Sequence, residues 1–166
     1  ETIGIIADYD VDGSSSAALL IKFLESININ YLLEIPDRIN EGFGPNKRII
    51  KNLIDKRINL LITLDCGTSS LDIFTKNLSK KIDTIIIDHH VSEMNLPNAY
   101  SIINPNRHDE KSDYKNLAAV GVTFMFLIGL RRYLRENNFY INNNFNEQNL
   151  TSYLDLVALG TVCDVA

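Results

Sequence analysis

The sequence predicts a doubly wound α/β fold: a mainly parallel sheet with helices on both faces, followed by a helical C-terminal part. Short apolar runs recur along the chain, and their continuity reads as strands buried on both faces. Segments of helical character lie between them, as crossovers between parallel strands require. Acidic residues stand at the ends of these runs, where the ligands of such sheets gather.

The first strand is Ile3 to Ala7, and a helix over Ser16 to Ser26 leads to the second strand, Tyr31 to Ile35. A helix over Asn46 to Lys56 precedes the strand Leu60 to Leu64, and one over Leu71 to Lys80 precedes Thr84 to Ile87. Tyr100 to Ile103 adds a fifth strand, and Leu117 to Arg135 is a long, largely apolar helix. The asparagine-rich stretch NNFYINNNFNEQN reads as a surface loop. A final helix covers Leu150 to Leu159. There is no internal repeat. The chain starts on a strand and stops at Val165-Ala166, just after a motif, so 1–166 is expected to be one domain of something longer.

With 166 residues, 45% hydrophobic and 22% charged, the chain can bury a substantial core. No apolar run approaches the roughly 20 residues of a membrane helix, and no signal peptide is evident, so a cytoplasmic location is the default expectation. Cys66 and Cys163 are too few for a disulfide scaffold and form no CxxC pair. A net charge of −5 argues against a broad basic surface gripping nucleic acid. It does not exclude a phosphate substrate, because bound divalent cations would reverse the field where the acids cluster.

ADYDVDGSSSAA places Asp8, Asp10 and Asp12 at alternate positions before Gly13. A calcium loop of the EF-hand type would need a helix before Asp8 and a glutamate at its twelfth position, which is Leu19. In an extended segment the three acids would point to one side, and such close carboxylates stay ionised only beside cations. A solvated loop with a helix-capping aspartate is the plainer alternative. LLITLDCGTSS repeats the pattern with Asp65, IIIDHHVSE with Asp88, His89 and His90, and YLDLVALGTVCDVA ends in Asp164. Oxygen and imidazole ligands at one sheet edge suit a pair of manganese or magnesium ions better than zinc. Such a pair activates water and stabilises charge on phosphorus.

Arg38, in IPDRINEGFG, and Arg107, in INPNRHDE, are the basic candidates for substrate phosphate, with an ordinary surface arginine the equal alternative for Arg107. The Gly13-Ser14-Ser15 turn could offer backbone N–H groups to a phosphate, but it lacks the lysine of a P-loop.

These motifs resemble the DHH phosphoesterase superfamily, which takes its name from the triplet in IIIDHH. IPDRINEGFGPN, NLAAVGVTF and LDLVALGTVCDVA resemble, within it, the RecJ family of single-stranded-DNA-specific exonucleases. The resemblance implies hydrolysis of single-stranded DNA from the 5′ end in recombination and repair, with two manganese or magnesium ions as cofactors. It implies Asp8, Asp10 and Asp12 as ligands, Asp65 as a bridge between the ions, and His89 and Asp164 in the second ion's shell. His90 would face the scissile phosphate, Asp88 would orient a histidine, and Asp155 would be structural. A single-strand-binding protein and a helicase are the partners it implies. The DHH-associated and OB-like domains of the family are not in this sequence, which has no tryptophan and no evident aromatic platform for bases. Cys163 and Ala119 depart from the usual pattern. Cys66 and Cys163 adjoin proposed ligands, so they are either points of oxidative or soft-metal interference or small buried side chains. A phosphodiesterase of short oligonucleotides or cyclic dinucleotides is the enzymatic alternative, and a binding module that has lost catalysis is the non-enzymatic one.

Overall fold

The computed structural model describes all 166 residues. Five strands, β1 (Thr2–Ala7), β2 (Asn30–Glu34), β3 (Leu60–Leu64), β4 (Asp83–Ile87) and β5 (Ser101–Ile103), form one sheet in the order β2-β1-β3-β4-β5. Every neighbouring pair is parallel. The chain leaves β1 for β2 on one side and crosses back past β1 to β3 on the other, so the order reverses between β1 and β3. At such a switch the loops beyond the strands diverge and leave a crevice.

Side-chain alternation sends Ile5 and Ala7 to one face and Ile6 to the other. The first face is covered by α1 (Val11–Ser26) and α4 (Ala119–Glu136), whose Leu20, Phe23, Val120 and Leu127 join Ile5, Ile62 and Ile87 in the larger core. The second is covered by α2 (Lys47–Asp55) and α3 (Lys76–Ser79), with Ile49, Leu53, Phe74 and Leu78 packed on Ile6, Leu61 and Ile86. The short α5 (Phe139–Asn143), a 3₁₀ turn (Leu150–Tyr153) and α6 (Leu154–Asp164) complete the C-terminal part. No helix is long and apolar enough to cross a membrane.

Several expectations from sequence need correction. The first helix starts at Val11 rather than Ser16, because Asp10 caps it by accepting from the Gly13 N–H at 2.9 Å. The third helix shrinks to Lys76–Ser79, since a series of turns occupies the residues before it. β2 is an edge strand and is only half buried, where burial on both faces was expected. The asparagine-rich stretch is more than a surface loop: Tyr140 is buried in the main core, and Phe139 and Phe145 stack at 5.9 Å and pack on it. Its aromatic residues outweigh the turn-forming asparagines around them.

Candidate metal centre

The main-chain ladder runs one residue past the ends of three strands. Asp8 donates its N–H to Leu64 O at 3.2 Å, Asp65 to Ile87 O at 2.9 Å and Asp88 to Ile103 O at 3.1 Å. Three acids are thereby fixed in a row along the carboxyl edge, each only 1% exposed. Asp65 does this with φ at +59°, a left-handed conformation that aspartate tolerates better than most residues but that costs on the order of 1–3 kcal/mol. Thr63 braces the turn by donating its hydroxyl to Cys66 O at 2.9 Å.

Asp10 and Asp12 reach the same edge by another route. They do not alternate along an extended segment, as the spacing suggested: Asp10 is the N-cap of α1 and Asp12 lies in its first turn. Gly13 permits this, because a Cβ there would sit 2.5 Å from Asp8 O. Asp12 is buried, and its carboxylate accepts from the N–H groups of Ala119 (2.6 Å) and Val120 (2.8 Å). It thus satisfies the start of α4, which has no side-chain cap of its own.

Asp164 is not at a strand end either; it is the last residue of α6. That helix is seated by a close approach at Gly160, where a Cβ would lie 2.7 Å from Val120 Cγ1 and 3.0 Å from Asp12 Oδ1.

These routes converge on His89. Its Nε2 is 3.3 Å from Asp65 Oδ1 and 3.8 Å from Asp12 Oδ2, and its Nδ1 is 3.8 Å from Asp164 Oδ2. Ligand atoms cluster within 4.8 Å of one another in three sets: Asp8, Asp10 and Asp65; Asp12, His89 and Asp164; Asp65, His89 and His90. Asp65 and His89 each belong to two sets, so the sets form one connected centre.

The centre is electrostatically unfinished. Asp8 Oδ1, Asp65 Oδ1 and His89 Nε2 are buried without a hydrogen bond of acceptable geometry. Burial, reinforced by the charges of Asp12 and Asp10 against the pull of His89, pushes the Asp65 carboxyl up to about 7. Burial likewise raises Asp8 and Asp12 above the usual carboxylate range. Burial opposes charge on His89, but Asp65 overrides it and the imidazole pKa rises. Crowded, orphaned oxygens and one imidazole fit hard divalent cations, which would remove the repulsion and satisfy the bare atoms. Neither cysteine is in any of the three sets, and Cys66 is buried among apolar side chains, which pushes its thiol up.

Beside the centre, Asp88 organises the histidine pair. Its Oδ1 accepts from the N–H groups of His89 (2.8 Å) and His90 (3.2 Å) and lies 2.8 Å from His90 Nδ1, while Oδ2 accepts from the Thr68 N–H at 3.0 Å. Asp88 drives the His90 imidazole up to about 9. Burial works against charge on Asp88, but His90 and Thr68 prevail and its pKa falls.

Sequence reasoning passed over the next layer. Asn104 donates its amide to Thr68 Oγ1 (3.0 Å) and His90 O (2.9 Å), and Asn106 donates to His89 O (2.6 Å). Both asparagines stand in the INPN stretch that was quoted only for its arginine. Two amides immediately after a strand were the available signal.

The model of the DHH family, N-terminal domain, matches residues 2–161. This chain belongs to the DHH family. Among curated DHH relatives, the single-stranded-DNA-specific exonuclease RecJ of Escherichia coli (strain K12) is 38% identical over 164 residues, 97% of this chain and 28% of that protein. RecJ of Bacillus subtilis (strain 168) is 30% identical over 165 residues, 99% of this chain and 19% of that one. The chain therefore spans between about a fifth and little more than a quarter of such relatives. A crystal structure of exonuclease RecJ bound to manganese superposes with a TM-score of 0.81 at 25% identity, covering 99% of this chain and 39% of that one. RecJ of Thermus thermophilus in complex with Mn²⁺ shares the fold, at TM-score 0.71 and 24% identity, over 99% of this chain and 22% of that one.

The remaining candidates in this DHH chain divide. Arg38 is exposed and lies over the Tyr9 ring at 5.3 Å, lining with Asp10 and Ser14 a groove of about 590 Å³ beside the centre. Ser14 keeps an exposed hydroxyl, but the turn's N–H groups are spent: Gly13 donates to Asp10 Oδ1 and Ser14 to Asp10 O, so they cannot cradle a phosphate as expected. Arg107 is corrected as well, since its guanidinium is committed to Asp109 (2.9 and 2.6 Å) and to Ile102 O (2.8 Å). Asp155 is exposed in the first turn of α6. Cys163 is exposed, so it is not the small buried side chain that was one of its two expected readings.

Proposed function

We propose that this chain is the phosphodiesterase part of a metal-dependent exonuclease that degrades single-stranded DNA from the 5′ end, in recombination and repair. The observation that supports it most is the connected set of Asp8, Asp10, Asp12, Asp65, His89 and Asp164, with bare ligand atoms inside it. The likeness to the RecJ exonucleases supports the substrate class and the choice of manganese or magnesium. By the same likeness, a helicase and a single-strand-binding protein are the partners proposed, in the cytoplasm.

Asp8, Asp10 and Asp65 would hold one ion, and Asp12, His89 and Asp164 the other, with Asp65 shared between them. When bound, the pair would activate a water for in-line attack and neutralise charge on the phosphoryl oxygens. The protein's own groups do the rest. Asp88 anchors His90 through Nδ1 and favours a proton there, so that Nε2 is the ring nitrogen left to face the scissile phosphate. Asn104 and Asn106 hold the backbone carbonyls of the two histidines and so fix the loop on which both imidazoles ride. Arg38, held against Tyr9, supplies the free guanidinium that can contact a backbone phosphate.

The test is digestion of 5′-labelled and 3′-labelled single strands by the full-length protein with manganese, beside Asp65→Ala. The expected outcome is mononucleotide release from the 5′ label and an inactive variant. Exclusive cleavage of dinucleotides, or a fully active variant, would overturn the reading.

A further inference from the structure

Three hydroxyl residues follow Gly67, and only the first is enclosed: Thr68 is 1% exposed, whereas Ser69 is exposed and Ser70 half-buried. A buried hydroxyl is costly unless it is bonded, and this one stands where three loops meet. Thr68 follows β3, Asp88 follows β4 and Asn104 follows β5. Gly67 turns the chain so that Thr68 faces the other two: its φ is +112°, and a Cβ there would lie 2.8 Å from Thr63 Oγ1.

The direction of the bonds among these loops can be read from the far end. Asn106 donates its N–H to Asn104 Oδ1 at 2.7 Å, which identifies the oxygen of that amide. The amide nitrogen is therefore the donor to Thr68 Oγ1 (3.0 Å) and to His90 O (2.9 Å), and both of its protons are used. A hydroxyl that accepts from Asn104 keeps its own proton for another acceptor. The Asp88 carboxylate is the group at hand: its Oδ2 receives the Thr68 N–H at 3.0 Å, and its Oδ1 lies 2.8 Å from His90 Nδ1. Burial opposes charge on Asp88, and after His90 it is Thr68, through its N–H and its hydroxyl, that offsets the penalty. Thr68, Asp88 and Asn104 are each at most 4% exposed, so water has little access to compete. The bonds run one way, from Asn104 through Thr68 and Asp88 to His90.

We infer that Thr68 is a positioning residue for the phosphodiesterase reaction: its hydroxyl fixes the plane of the Asp88 carboxylate and so aims the His90 imidazole at the scissile phosphate. The inference rests on the role proposed above for His90. A carboxylate anchored at one oxygen alone can turn about its Cβ–Cγ bond, whereas two donors from a single residue on the other oxygen hold it in place. Thr68 thereby ties the loop of Asp65 to the loop of the two histidines, and it does so without touching the substrate.

The experiment is steady-state digestion of 5′-labelled single strands by the full-length protein with manganese, comparing the parent with Thr68→Val, Thr68→Ser, Asp88→Asn and the double variant Thr68→Val/Asp88→Asn. Thr68→Val keeps the backbone N–H and loses only the hydroxyl. It is expected to lose roughly tenfold in kcat, with KM and calorimetric manganese affinity unchanged, while Thr68→Ser stays near the parent. The double variant should be no slower than Asp88→Asn alone, because both substitutions break the same chain of bonds. Losses that multiply in the double variant would overturn the inference, as would a loss carried by KM or by manganese affinity, a Thr68→Ser protein as slow as Thr68→Val, or no loss at all. Thr68→Ala supplies the same comparison if Thr68→Val does not fold. A parent that cleaves no single strand would instead overturn the exonuclease reading itself.

Discussion

The two edges of the sheet are built on opposite rules. At the amino edge, Ile3, Leu60 and Ile85 meet Leu24 of α1, Ile27 just after it, and Phe126, Leu130 and Leu134 of α4 around an almost wholly apolar cavity of about 370 Å³. At the carboxyl edge, Asp8, Asp12, Asp65 and Asp88 are buried together, and several of their atoms or neighbours lack partners. The same strands run through both. One edge is therefore apolar, and the other gathers crowded acids whose repulsion protonation or a bound cation relieves. Stability and function are separated along the strand direction, as expected where a parallel sheet aligns all its carboxyl ends.

Opposite responses to substitution are expected at the two edges. Asp65→Ala should cost activity by well over the roughly 10- to 100-fold typical of outer residues, while Asp65→Asn should raise the melting temperature of the metal-free protein. Thermal melts in chelator, paired with nuclease assays, check this; an Asp65→Asn protein that melts below its parent would break the contrast. Leu24→Ala, at the amino edge, should cost about 2–5 kcal/mol in denaturant unfolding and leave manganese affinity unchanged. Calorimetry showing an equal loss of metal binding would mean that the edges are not independent.

Asp88→Asn should lower kcat about 10- to 100-fold, with KM less affected, because it releases His90 from its anchor without removing a ligand. The smallest effect is on pH dependence. Folded Asp65 holds its proton up to about pH 7, against 3.8 for an ordinary aspartate, so its contribution to metal-free stability is complete below pH 3.8 and is lost as pH rises through about 7. His90, raised from 6.5 to about 9, contributes in full below pH 6.5 and loses that contribution through about 9. The stability difference between the parent and Asp65→Asn should therefore widen between pH 4 and 7 in chelator. A difference that stays flat across that range would show that Asp65 titrates normally.

Much of this was legible in the sequence, because a strand buried on both faces leaves little choice of side chain: β1, β3 and β4 were found nearly to the residue. Their terminal acids were legible for the same reason. Asp12 and Asp164 reach the edge on helices, by close approaches at Gly13 and Gly160 that no local pattern encodes. The partners of Asp12 lie more than a hundred residues away, on the first turn of α4. Arg107 and the N–H groups of the serine turn were misread because composition shows a donor but not whether it is already used.

Anomalous diffraction from crystals of the protein grown with manganese is the sharpest check on a shared two-ion centre. Two peaks should appear, one among Asp8, Asp10 and Asp65 and one among Asp12, His89 and Asp164, with Asp65 touching both. A single ion, or ions bound away from the carboxyl edge, would refute it.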